Sequence, residues 1–344
     1  MRIQKIPSSD YEEIWEAQDA SQNFHAFIVL HSLKRGPAIG GLRFWKYPDS
    51  QAALEDAQEL ARAMTYKAAL ARLPHGGGKA VMIEPNTSYE RRNLMKLFGQ
   101  FIDQLNGRYI TAKDVGSGAS DMEIIKQETP WVTGLAQSHG GMGDPSEPTA
   151  KGVALGIETC LDYTFKNRPQ KIRIAIQGLG GVGRQLSQLL SQKSYEVWGT
   201  DVSAKSVFAC SQLKNFHSVL PESIFKTPCE IFAPCALGNV ISQENISQLN
   251  CKIVAGSANN PLRDAQKDAN TLHQKGILYA PDFVINAGGL LHVAAEFTQL
   301  KKAELENQLN IIPQNLKKIF DISESEHLNP LQAALQMAEE ILKN

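Results

Sequence analysis

Two lysines twelve residues apart are the side chains of this sequence best suited to chemistry. Lys67 falls on the apolar stripe of a predicted helix, because apolar residues recur before it at intervals of three and four. Those residues are Ala53, Ala57, Leu60, Ala61 and Met64. Lys79 follows three glycines and precedes the apolar run 80–83, which is typical of a buried strand. Either lysine alone could extend to solvent along its aliphatic stem, but the pair favours a cleft that binds an anion.

An acidic side chain completes a possible acid–base set. Asp114 directly follows a predicted strand, in the segment 111–116. Taken alone, a carboxylate at a strand end is explained at least as well by a turn or a cap on the next segment. Beside two lysines it can accept and donate protons, which general acid–base catalysis requires.

The Gly78-Lys79 pair does not complete an ATP-binding P-loop. That motif needs glycine at position 73 and serine or threonine at position 80, where this chain has Leu73 and Ala80. We therefore do not expect ATP to bind at this segment.

The second half of the chain carries the pattern of a dinucleotide-binding turn. A predicted strand (171–177) leads into a GxGxxG turn and a helix, and a second strand (196–200) ends at Asp201. The turn consists of Gly178, Leu179, Gly180, Gly181, Val182 and Gly183. Its glycines let a pyrophosphate approach the backbone, the helix N-terminus attracts phosphate, and the acid accepts hydrogen bonds from the ribose. We expect dinucleotide binding here rather than a purely structural glycine turn.

Three more predicted strands, at 231–233, 252–255 and 277–279, each lead into a segment of small or Asn residues. These segments contain Ala236, then Asn259 and Asn260, and then Asn286. In doubly wound sheets ligands lie beyond the carboxyl ends of strands, so we expect a nicotinamide ring and a substrate at these turns. Asn also forms turns without any ligand, and that alternative stays open for each one.

The elements that must position these residues alternate between short apolar runs and longer amphipathic ones, which predicts an α/β fold with largely parallel sheets. In the first half the predicted strands are 24–31, 41–45, 79–84 and 108–112, and the predicted helices are about 50–70 and 88–105. Ser50 is the expected cap of the first helix. A loop rich in Gly, Ser and Pro at 138–148 is the candidate hinge, and a helix follows from Thr149 to about residue 167.

Composition excludes several classes of protein. The 344 residues suit two domains with a cleft, and a net charge of −1 without like-charge blocks argues against nucleic-acid or membrane-surface partners. The five cysteines lack the spacing of metal ligands, so we expect neither a metal site nor a disulfide framework. With no apolar signal core and no stretch long enough to cross a bilayer, we expect a soluble, cytoplasmic protein.

With these residues in view, the chain resembles the amino-acid dehydrogenases of the glutamate/leucine/phenylalanine/valine family, and its leucine dehydrogenases most of all. The resemblance extends from about Gly36 to Phe297. In the first half its motifs are Gly36-Pro37-Ala38-Ile39-Gly40-Gly41, Met64-Thr65-Tyr66-Lys67, Gly76-Gly77-Gly78-Lys79, Thr111-Ala112-Lys113-Asp114-Val115-Gly116 and Gly143-Asp144-Pro145. In the second half they are the GxGxxG turn, Ala233-Pro234-Cys235-Ala236-Leu237-Gly238, Ala258-Asn259-Asn260 and Ala280-Pro281-Asp282-Phe283-Val284-Ile285-Asn286-Ala287-Gly288-Gly289.

The resemblance implies roles for individual residues. Lys67 would bind the substrate α-carboxylate with Asn260, Lys79 would activate the attacking water, and Asp114 would move protons to and from the amino group. A lysine desolvated beside another cation loses its proton more readily, which suits a base. Further implied substrate contacts are Gly40 and Gly41, with Ile39, Met64, Ala112, Leu290 and Val293 around the side chain. The implied cofactor is NAD, bound by the GxGxxG turn and Asp201, with Thr149, Ala236, Asn259 and Asn286 at the nicotinamide end.

The same resemblance implies a domain layout and a quaternary state. Residues 1–140 would form a substrate-binding and oligomerisation domain, joined by a C-terminal helix at about 326–344, and residues 141–325 would form a Rossmann domain. Family members form oligomers, so we expect a homo-oligomer, and the resemblance implies no metal ligand among the site residues.

The implied activity is the NAD-dependent, reversible oxidative deamination of a branched-chain aliphatic L-amino acid to the 2-oxo acid and ammonia. The expected pocket has no basic residue or serine to receive the side-chain carboxylate of glutamate, and Leu290 stands where leucine dehydrogenases often have a smaller Val. Two alternatives stay open, a dehydrogenase of phenylalanine or tryptophan and a non-catalytic dinucleotide sensor. The full set of Lys67, Lys79 and Asp114 favours an enzyme, because a sensor needs no proton shuttle.

Three departures from leucine dehydrogenases mark this chain. Lys113 stands where an acid is common beside the catalytic Asp, His292 replaces a usual Asn, and the C-terminal tail is shorter. The first two are expected to alter pH optimum or substrate preference, and the third bears on quaternary structure.

Overall fold

The computed structural model describes residues 1–236 and 238–343, which fold into two compact units. The first unit comprises Met1–Asp144, Leu290–Lys301 and the C-terminal segment from Ala338, and the second comprises Pro145–Gly289 and Lys302–Met337. Leu237, which belongs to one of the family motifs, and Asn344, in the expected C-terminal helix, lie outside the described residues. The expected limits of independently folding domains stay a prediction.

A six-stranded mixed sheet forms the centre of the first unit. Its strands are β1 (Arg2–Ile6), β2 (Glu13–Asp19), β3 (Phe24–Ser32), β4 (Ala38–Trp45), β5 (Gly76–Ile83) and β6 (Tyr109–Lys113). They lie in the order β1-β2-β3-β5-β4-β6. The pairs β1–β2, β2–β3 and β3–β5 are antiparallel, whereas β4 is parallel to both β5 and β6.

Helices cover both faces of this sheet. They are α1 (Ser50–Leu70), α2 (Arg91–Asp103) and α3 (Ala119–Lys126). Successive strand residues point to opposite faces, so Val81 packs with the α1 alanines, and its neighbours Ala80 and Met82 pack with α2 and α3. Because the α1 stripe is mostly alanine, the helix can lie close to the sheet.

The second unit contains a six-stranded, wholly parallel sheet. Its strands, in the order β12-β11-β10-β7-β8-β9, are β7 (Arg173–Gln177), β8 (Glu196–Thr200), β9 (Phe216–Ser218), β10 (Ile231–Pro234), β11 (Ile253–Val254) and β12 (Leu278–Tyr279). The order reverses at β7, and such a point in a doubly wound sheet is where ligands bind.

Ten further helices complete the described chain. They are α4 (Ser146–Thr164), α5 (Gly181–Gln192), α6 (Ala204–Ser211), α7 (Gln243–Ile246), α8 (Ala265–Gln274), α9 (Asp282–Ile285), α10 (Gly288–Phe297), α11 (Lys302–Gln308), α12 (Ile311–Ser325) and α13 (Pro330–Lys343). None of the described helices is both long and apolar enough to cross a membrane.

The first unit differs from the sequence-based expectation in three ways. Its sheet is half antiparallel, because β3 runs antiparallel to β5 and the unpredicted β1 and β2 add two more antiparallel pairs. Strands β4 and β5 begin three residues earlier than predicted, at Ala38 and Gly76, so their glycines lie inside strands. The cap of α1 is Asp49 rather than Ser50, with its carboxylate accepting the Ala52 N–H at 2.8 Å.

Candidate active site

Lys79 and Asp114 form an ion pair in the first unit. Lys79 lies on β5 and points to the same face as Val81, and only 5% of its surface is exposed. Its Nζ donates a hydrogen bond of 2.6 Å to Oδ2 of Asp114, directly after β6. A buried ammonium needs a partner of opposite charge, and this carboxylate provides one. The structure therefore brings together the two residues expected to move protons.

Gly41 makes room for this pair. Strand β4 lies between β5 and β6 in the sheet, and Gly41 is in register with Ala112. A Cβ atom at Gly41 would lie 2.7 Å from Cβ of Asp114, closer than real contacts allow. At the preceding Gly40, a Cβ would lie 1.9 Å from the Gly78 carbonyl oxygen. Both glycines are thus required for packing, and their expected contacts with substrate stay a prediction.

A second cation, Arg43, also approaches Asp114, and sequence reasoning missed it. Its Nε lies 3.5 Å from Oδ2 of Asp114. Its Nη1 donates to both carboxylate oxygens of Asp56 on α1, each at 2.9 Å, and the Tyr47 hydroxyl donates to Asp56 at 2.5 Å. A charged residue two positions after Gly41 on a buried strand was the available signal, since positions 41 and 43 lie on the same face of the strand.

These charges determine the protonation of Asp114. Burial alone would raise its pKa, but the charge and hydrogen bond of Lys79, the charge of Arg43 and the Val115 N–H together lower the pKa to about 2. Asp114 is therefore a carboxylate at neutral pH. At neutral pH it could take up a proton only if the positive charges of Lys79 and Arg43 were lost or moved away.

The backbone at Asp114 is fixed by a neighbouring hydroxyl. Its N–H donates to Oγ of Ser117 at 2.9 Å, and that hydroxyl donates to the Leu42 carbonyl oxygen at 2.7 Å. The turn is thus tied to β4 through Ser117. The Asp114 carboxylate remains directed at Lys79.

The C-terminal half of α1 lies directly on the β5 glycines. A Cβ atom at Gly77 would lie 2.0 Å from the Thr65 nitrogen, so only glycine fits there. The Thr65 hydroxyl also contacts Nδ1 of His31 at 2.9 Å, which joins α1 to β3. Lys67 lies on this half of α1 and is half-buried, so its carboxylate-binding role stays a prediction.

The five residues expected around the substrate side chain all belong to the first unit. Ile39, Ala112 and Leu290 are buried, whereas Met64 and Val293 are half-buried. Register places Ile39 and Ala112 on one face of the sheet, two residues apart beside Gly41. The Val293 carbonyl accepts the Thr133 hydroxyl at 2.9 Å, which holds this part of α10 in the unit.

His292 is buried on the same helix, with 4% of its surface exposed. Its Nε2 lies 3.3 Å from the Gly143 carbonyl oxygen, and its buried Nδ1 has no hydrogen-bond partner among the described residues. Burial lowers its pKa, and the Gly143 carbonyl, Glu296 and Asp144 offset this only in part. A neutral imidazole at pH 7 follows from this environment.

Glu296 attaches α10 to backbone groups before and within the expected hinge. Its Oε1 accepts the N–H groups of Gly134 at 2.7 Å and Leu135 at 3.0 Å, and its Oε2 accepts that of Met142 at 2.9 Å. Three backbone donors thus converge on one carboxylate.

In the second unit, the GxGxxG turn has the backbone geometry that a pyrophosphate requires. Gly178 has a φ of +95°, which favours glycine, and a Cβ at Gly183 would lie 1.9 Å from the Gly178 carbonyl oxygen. A Cβ at Gly180, by contrast, would meet nothing within 4 Å. Gly178 and Gly183 are therefore needed for close packing of the turn, whereas Gly180 leaves open space at the N-terminus of α5. The residues fit a dinucleotide phosphate.

Asp201 lies at this turn. Its Oδ2 accepts the Leu179 N–H at 2.7 Å, and its Oδ1 accepts the Ser203 N–H at 2.8 Å. The carboxylate that follows β8 is therefore directed at the glycine turn, where an adenosine ribose would lie.

The remaining expected cofactor residues also lie in the second unit. Asn286 is 3% exposed and donates to Oδ1 of Asn259 at 2.8 Å, so these two form a pair. Asn260 has a φ of +47°, which is the turn geometry of the structural alternative, and its N–H donates to Asp282 at 2.9 Å. The Thr149 hydroxyl donates to the Pro145 carbonyl at 2.7 Å. Ala236 is exposed beside Gly178.

Comparison with known protein families gives matches in both halves of the chain. The family described as Glu/Leu/Phe/Val dehydrogenase, dimerisation domain, matches residues 11–131. The family described as Glutamate/Leucine/Phenylalanine/Valine dehydrogenase matches residues 200–343. Together the two matches cover most of the chain.

Individual relatives align over nearly the full length. The chain is 40% identical over 332 residues to leucine dehydrogenase of Geobacillus stearothermophilus, which covers 96% of this chain and 90% of that protein. It is 36% identical over 338 residues to phenylalanine dehydrogenase of Lysinibacillus sphaericus, with 96% and 88% covered. The crystal structure of L-tryptophan dehydrogenase from Nostoc punctiforme superposes with a TM-score of 0.86 at 35% identity, covering 97% and 96%.

Proposed function

The chain belongs to the Glu/Leu/Phe/Val dehydrogenase family, and on that premise we propose that it oxidatively deaminates a branched-chain aliphatic L-amino acid with NAD. It is an amino-acid dehydrogenase of a family that uses NAD or NADP, so the proposal concerns the substrate, the choice of cofactor and the roles of residues. The observation that carries it is the ion pair of the buried Lys79 with the half-buried Asp114, in which Nζ lies 2.6 Å from Oδ2.

The chemistry requires a proton carrier at the substrate. The GxGxxG turn and Asp201 would hold NAD, which would supply a hydride acceptor for the amino acid Cα. Loss of that hydride turns the substrate amine into an iminium group. Water then adds to that carbon and ammonia departs, so a base must take a proton from water and an acid must protonate the leaving amine. Lys79 and Asp114 share a proton across one hydrogen bond, and in the proposal Lys79 activates the water and Asp114 serves the amino group.

Preference for NAD over NADP rests on Asp201. A carboxylate at the end of β8 can accept hydrogen bonds from both ribose hydroxyls, but it would repel a 2′-phosphate. Its hydrogen bond with the Leu179 N–H supports this assignment, because it keeps the charge at the turn.

The substrate class rests on apolar lining. In the proposal, Ile39, Ala112, Leu290, Met64 and Val293 surround the side chain, and none of them can pair with a carboxylate. Burying an unpaired charge costs several kcal/mol, so glutamate should be rejected by roughly a thousandfold or more. Leu290 fills more space than Val, which favours valine and isoleucine relative to leucine.

An aromatic substrate is the second candidate. A phenylalanine dehydrogenase and a tryptophan dehydrogenase are among the relatives, and the buried Nδ1 of His292 is an acceptor without a partner among the described residues. An indole N–H is a donor that such an acceptor could bind.

We also propose a homo-oligomer, since the family described for residues 11–131 is a dimerisation domain.

The test is the kcat/KM of the purified enzyme for leucine, valine, isoleucine, phenylalanine, tryptophan and glutamate at one pH, with NAD and with NADP. Valine and isoleucine should equal or exceed leucine, and glutamate should fall roughly a thousandfold below them. A clear preference for phenylalanine or tryptophan would contradict the branched-chain proposal. His292→Asn, which restores the residue usual in leucine dehydrogenases, should then reduce that preference.

A further inference from the structure

We propose that Arg43, held by Asp56 and Tyr47, is a positioning residue that keeps Asp114 ionised and aligned for proton exchange with Lys79. The inference deepens the proposed function and rests on its assignment of the proton-transfer pair. Arg43 is not one of the residues that the motifs point to as reactive, and its contact with Asp114 is seen only in the tertiary structure.

Arg43 lies on the face of the sheet that carries the Lys79–Asp114 pair. Gly41 and Arg43 are two residues apart on β4, so they lie on the same face. Strand β4 runs between β5, which carries Lys79, and β6, which ends directly before Asp114. The Arg43 Nε is 3.5 Å from Oδ2 of Asp114, the same oxygen that accepts the Lys79 hydrogen bond. Buried Nε makes no hydrogen bond with the described residues, so its N–H is available to this carboxylate after a small movement.

Asp56 and Tyr47 hold Arg43 in place. Both oxygens of Asp56 accept from its Nη1 at 2.9 Å, and the Tyr47 hydroxyl donates to one of them. Burial and the neighbouring Asp56 charge raise the pKa of Tyr47, so its hydroxyl keeps the proton that it donates. A guanidinium tethered at one end has few orientations left, which fixes the distance of Nε from Asp114.

Arg43 also changes the net charge around the Lys79–Asp114 pair. Lys79 and Asp114 alone form a neutral pair, which would retain its shared proton firmly. Arg43 adds a positive charge on the same carboxylate oxygen, which favours loss of that proton from the pair. Asp56 partly offsets this charge from the far side of the guanidinium. Arg43 thus allows the pair to act as a base at a lower pH than it otherwise would.

Tyr109 also lies near Asp114, but its hydroxyl keeps its proton over the pH range of enzyme assays. Tyr109 on β6 is fully buried and donates its hydroxyl to the Gly40 carbonyl at 2.9 Å, and burial raises its pKa. The charges that face Asp114 from the packed strands are therefore Lys79 and Arg43, with Asp56 and Tyr47 acting through the guanidinium. The pH dependence of the reaction should report this set.

The experiment compares pH profiles of kcat/KM for the best amino acid from the substrate panel. In Arg43→Gln the acid limb should move up by about one pH unit, with roughly tenfold lower kcat/KM near neutrality and recovery at high pH. Arg43→Lys keeps the charge and should stay within a few tenths of a unit (~0.3) of the wild type. Asp56→Asn removes the offsetting anion but keeps an amide oxygen that accepts from Arg43, so the guanidinium stays tethered and the acid limb should move down or stay in place. Arg108→Gln, which breaks an ion pair with Glu13 before the start of β6, is the matched control and should leave the profile unchanged.

The different expected shifts of the acid limb, upward in Arg43→Gln but not in Asp56→Asn, separate an electrostatic effect from disrupted packing. A purely structural role would lower kcat/KM equally at every pH, and that result would overturn the inference. An upward shift in Asp56→Asn would overturn it as well, even if Arg43→Gln failed to fold. Asp114→Asn distinguishes the two proposals: full activity in that variant refutes the assigned proton-transfer pair, whereas an inactive Asp114→Asn with unshifted Arg43 and Asp56 variants refutes only the role of Arg43.

Discussion

The two units both depend on glycine, but for opposite purposes. In the first unit, Gly41 lacks a side chain so that charged side chains of neighbouring strands can meet in its place. In the second unit, Gly180 lacks a side chain so that the backbone itself stays open to a ligand. One site works through buried charges that neutralise each other, and the other through N–H groups at a helix N-terminus.

This difference predicts how each site fails. Buried charges tolerate little displacement, because an unpaired ammonium or carboxylate is costly, so changes there should affect turnover and stability together. The dinucleotide turn is expected to bind phosphate through backbone N–H groups, so a substitution there removes few side-chain contacts. Substitutions there should act by filling space, and their effect should depend on which glycine is replaced.

The largest expected effect comes from Lys79→Ala. The chemical step loses its base, so kcat should fall by about a thousandfold, while NAD still binds to the folded enzyme. Stability should fall as well, because the Asp114 carboxylate loses its ion-pair partner. Lys67→Ala should instead mainly raise KM for the amino acid. Steady-state kinetics, with NAD binding measured by fluorescence titration, check both. Near-normal turnover in Lys79→Ala would refute the mechanism.

Gly41→Ala tests whether room for the ion pair matters. The new methyl group would lie 2.7 Å from Cβ of Asp114 and must displace it. We expect roughly a hundredfold lower kcat and about 1–3 kcal/mol lower stability, since small misplacements of catalytic groups are costly. Gly118→Ala is the control, because a Cβ there meets nothing within 4 Å. Equal kinetics for the two variants would contradict the proposal.

The same substitution at two glycines of one turn should separate binding from folding. Gly183→Ala places a Cβ 1.9 Å from the Gly178 carbonyl oxygen and should lower the thermal midpoint by several degrees or more, roughly what 1–3 kcal/mol of overpacking produces. Gly180→Ala meets open space and should leave the midpoint unchanged, while raising the Kd for NAD by about tenfold or more through loss of close phosphate approach. Unchanged NAD affinity in Gly180→Ala would show that the phosphates bind elsewhere.

Asp201→Ser sharpens the cofactor assignment. The wild type should prefer NAD over NADP by at least about an order of magnitude in kcat/KM, and the variant should narrow that gap because the repelling charge is gone. Lys205 lies four residues further along the chain and would soften the preference. Comparable values for both cofactors in the wild type would contradict the assignment.

The smallest expected effect concerns pH and His292. The pKa of His292 is lowered in the folded state, so below about pH 6.5 the unfolded chain binds a proton at this imidazole more readily than the folded chain does. The free energy of unfolding should therefore decrease as the pH falls. His292→Asn should flatten this dependence between pH 7.5 and 5.5, values chosen to span the ordinary histidine pKa of about 6.5. Thermal midpoints measure it, with His273→Asn, an exposed histidine of α8, as the control.

Part of the fold could be predicted from local sequence. The bounds of α1 and the strand–turn–helix at Gly178 match their predictions closely, because helix periodicity and the GxGxxG spacing depend on residues near each other in the chain. The hairpin of β1 and β2 was missed, since its polar and apolar residues give no long buried run. The parallel sheet of the second unit was expected, whereas the half-antiparallel sheet of the first unit was not.

The sequence by itself also indicated which residue types could react, namely Lys79, Asp114 and the acid after the dinucleotide turn. Only the tertiary structure decided how they are joined. The Asp114 carboxylate meets Lys79 from 35 residues away and Arg43 from a different strand, and Asp56 fixes that arginine from a helix. Spacing within the chain cannot reveal such contacts, because the order of strands in a sheet and the room left by a glycine depend on the packing of distant segments.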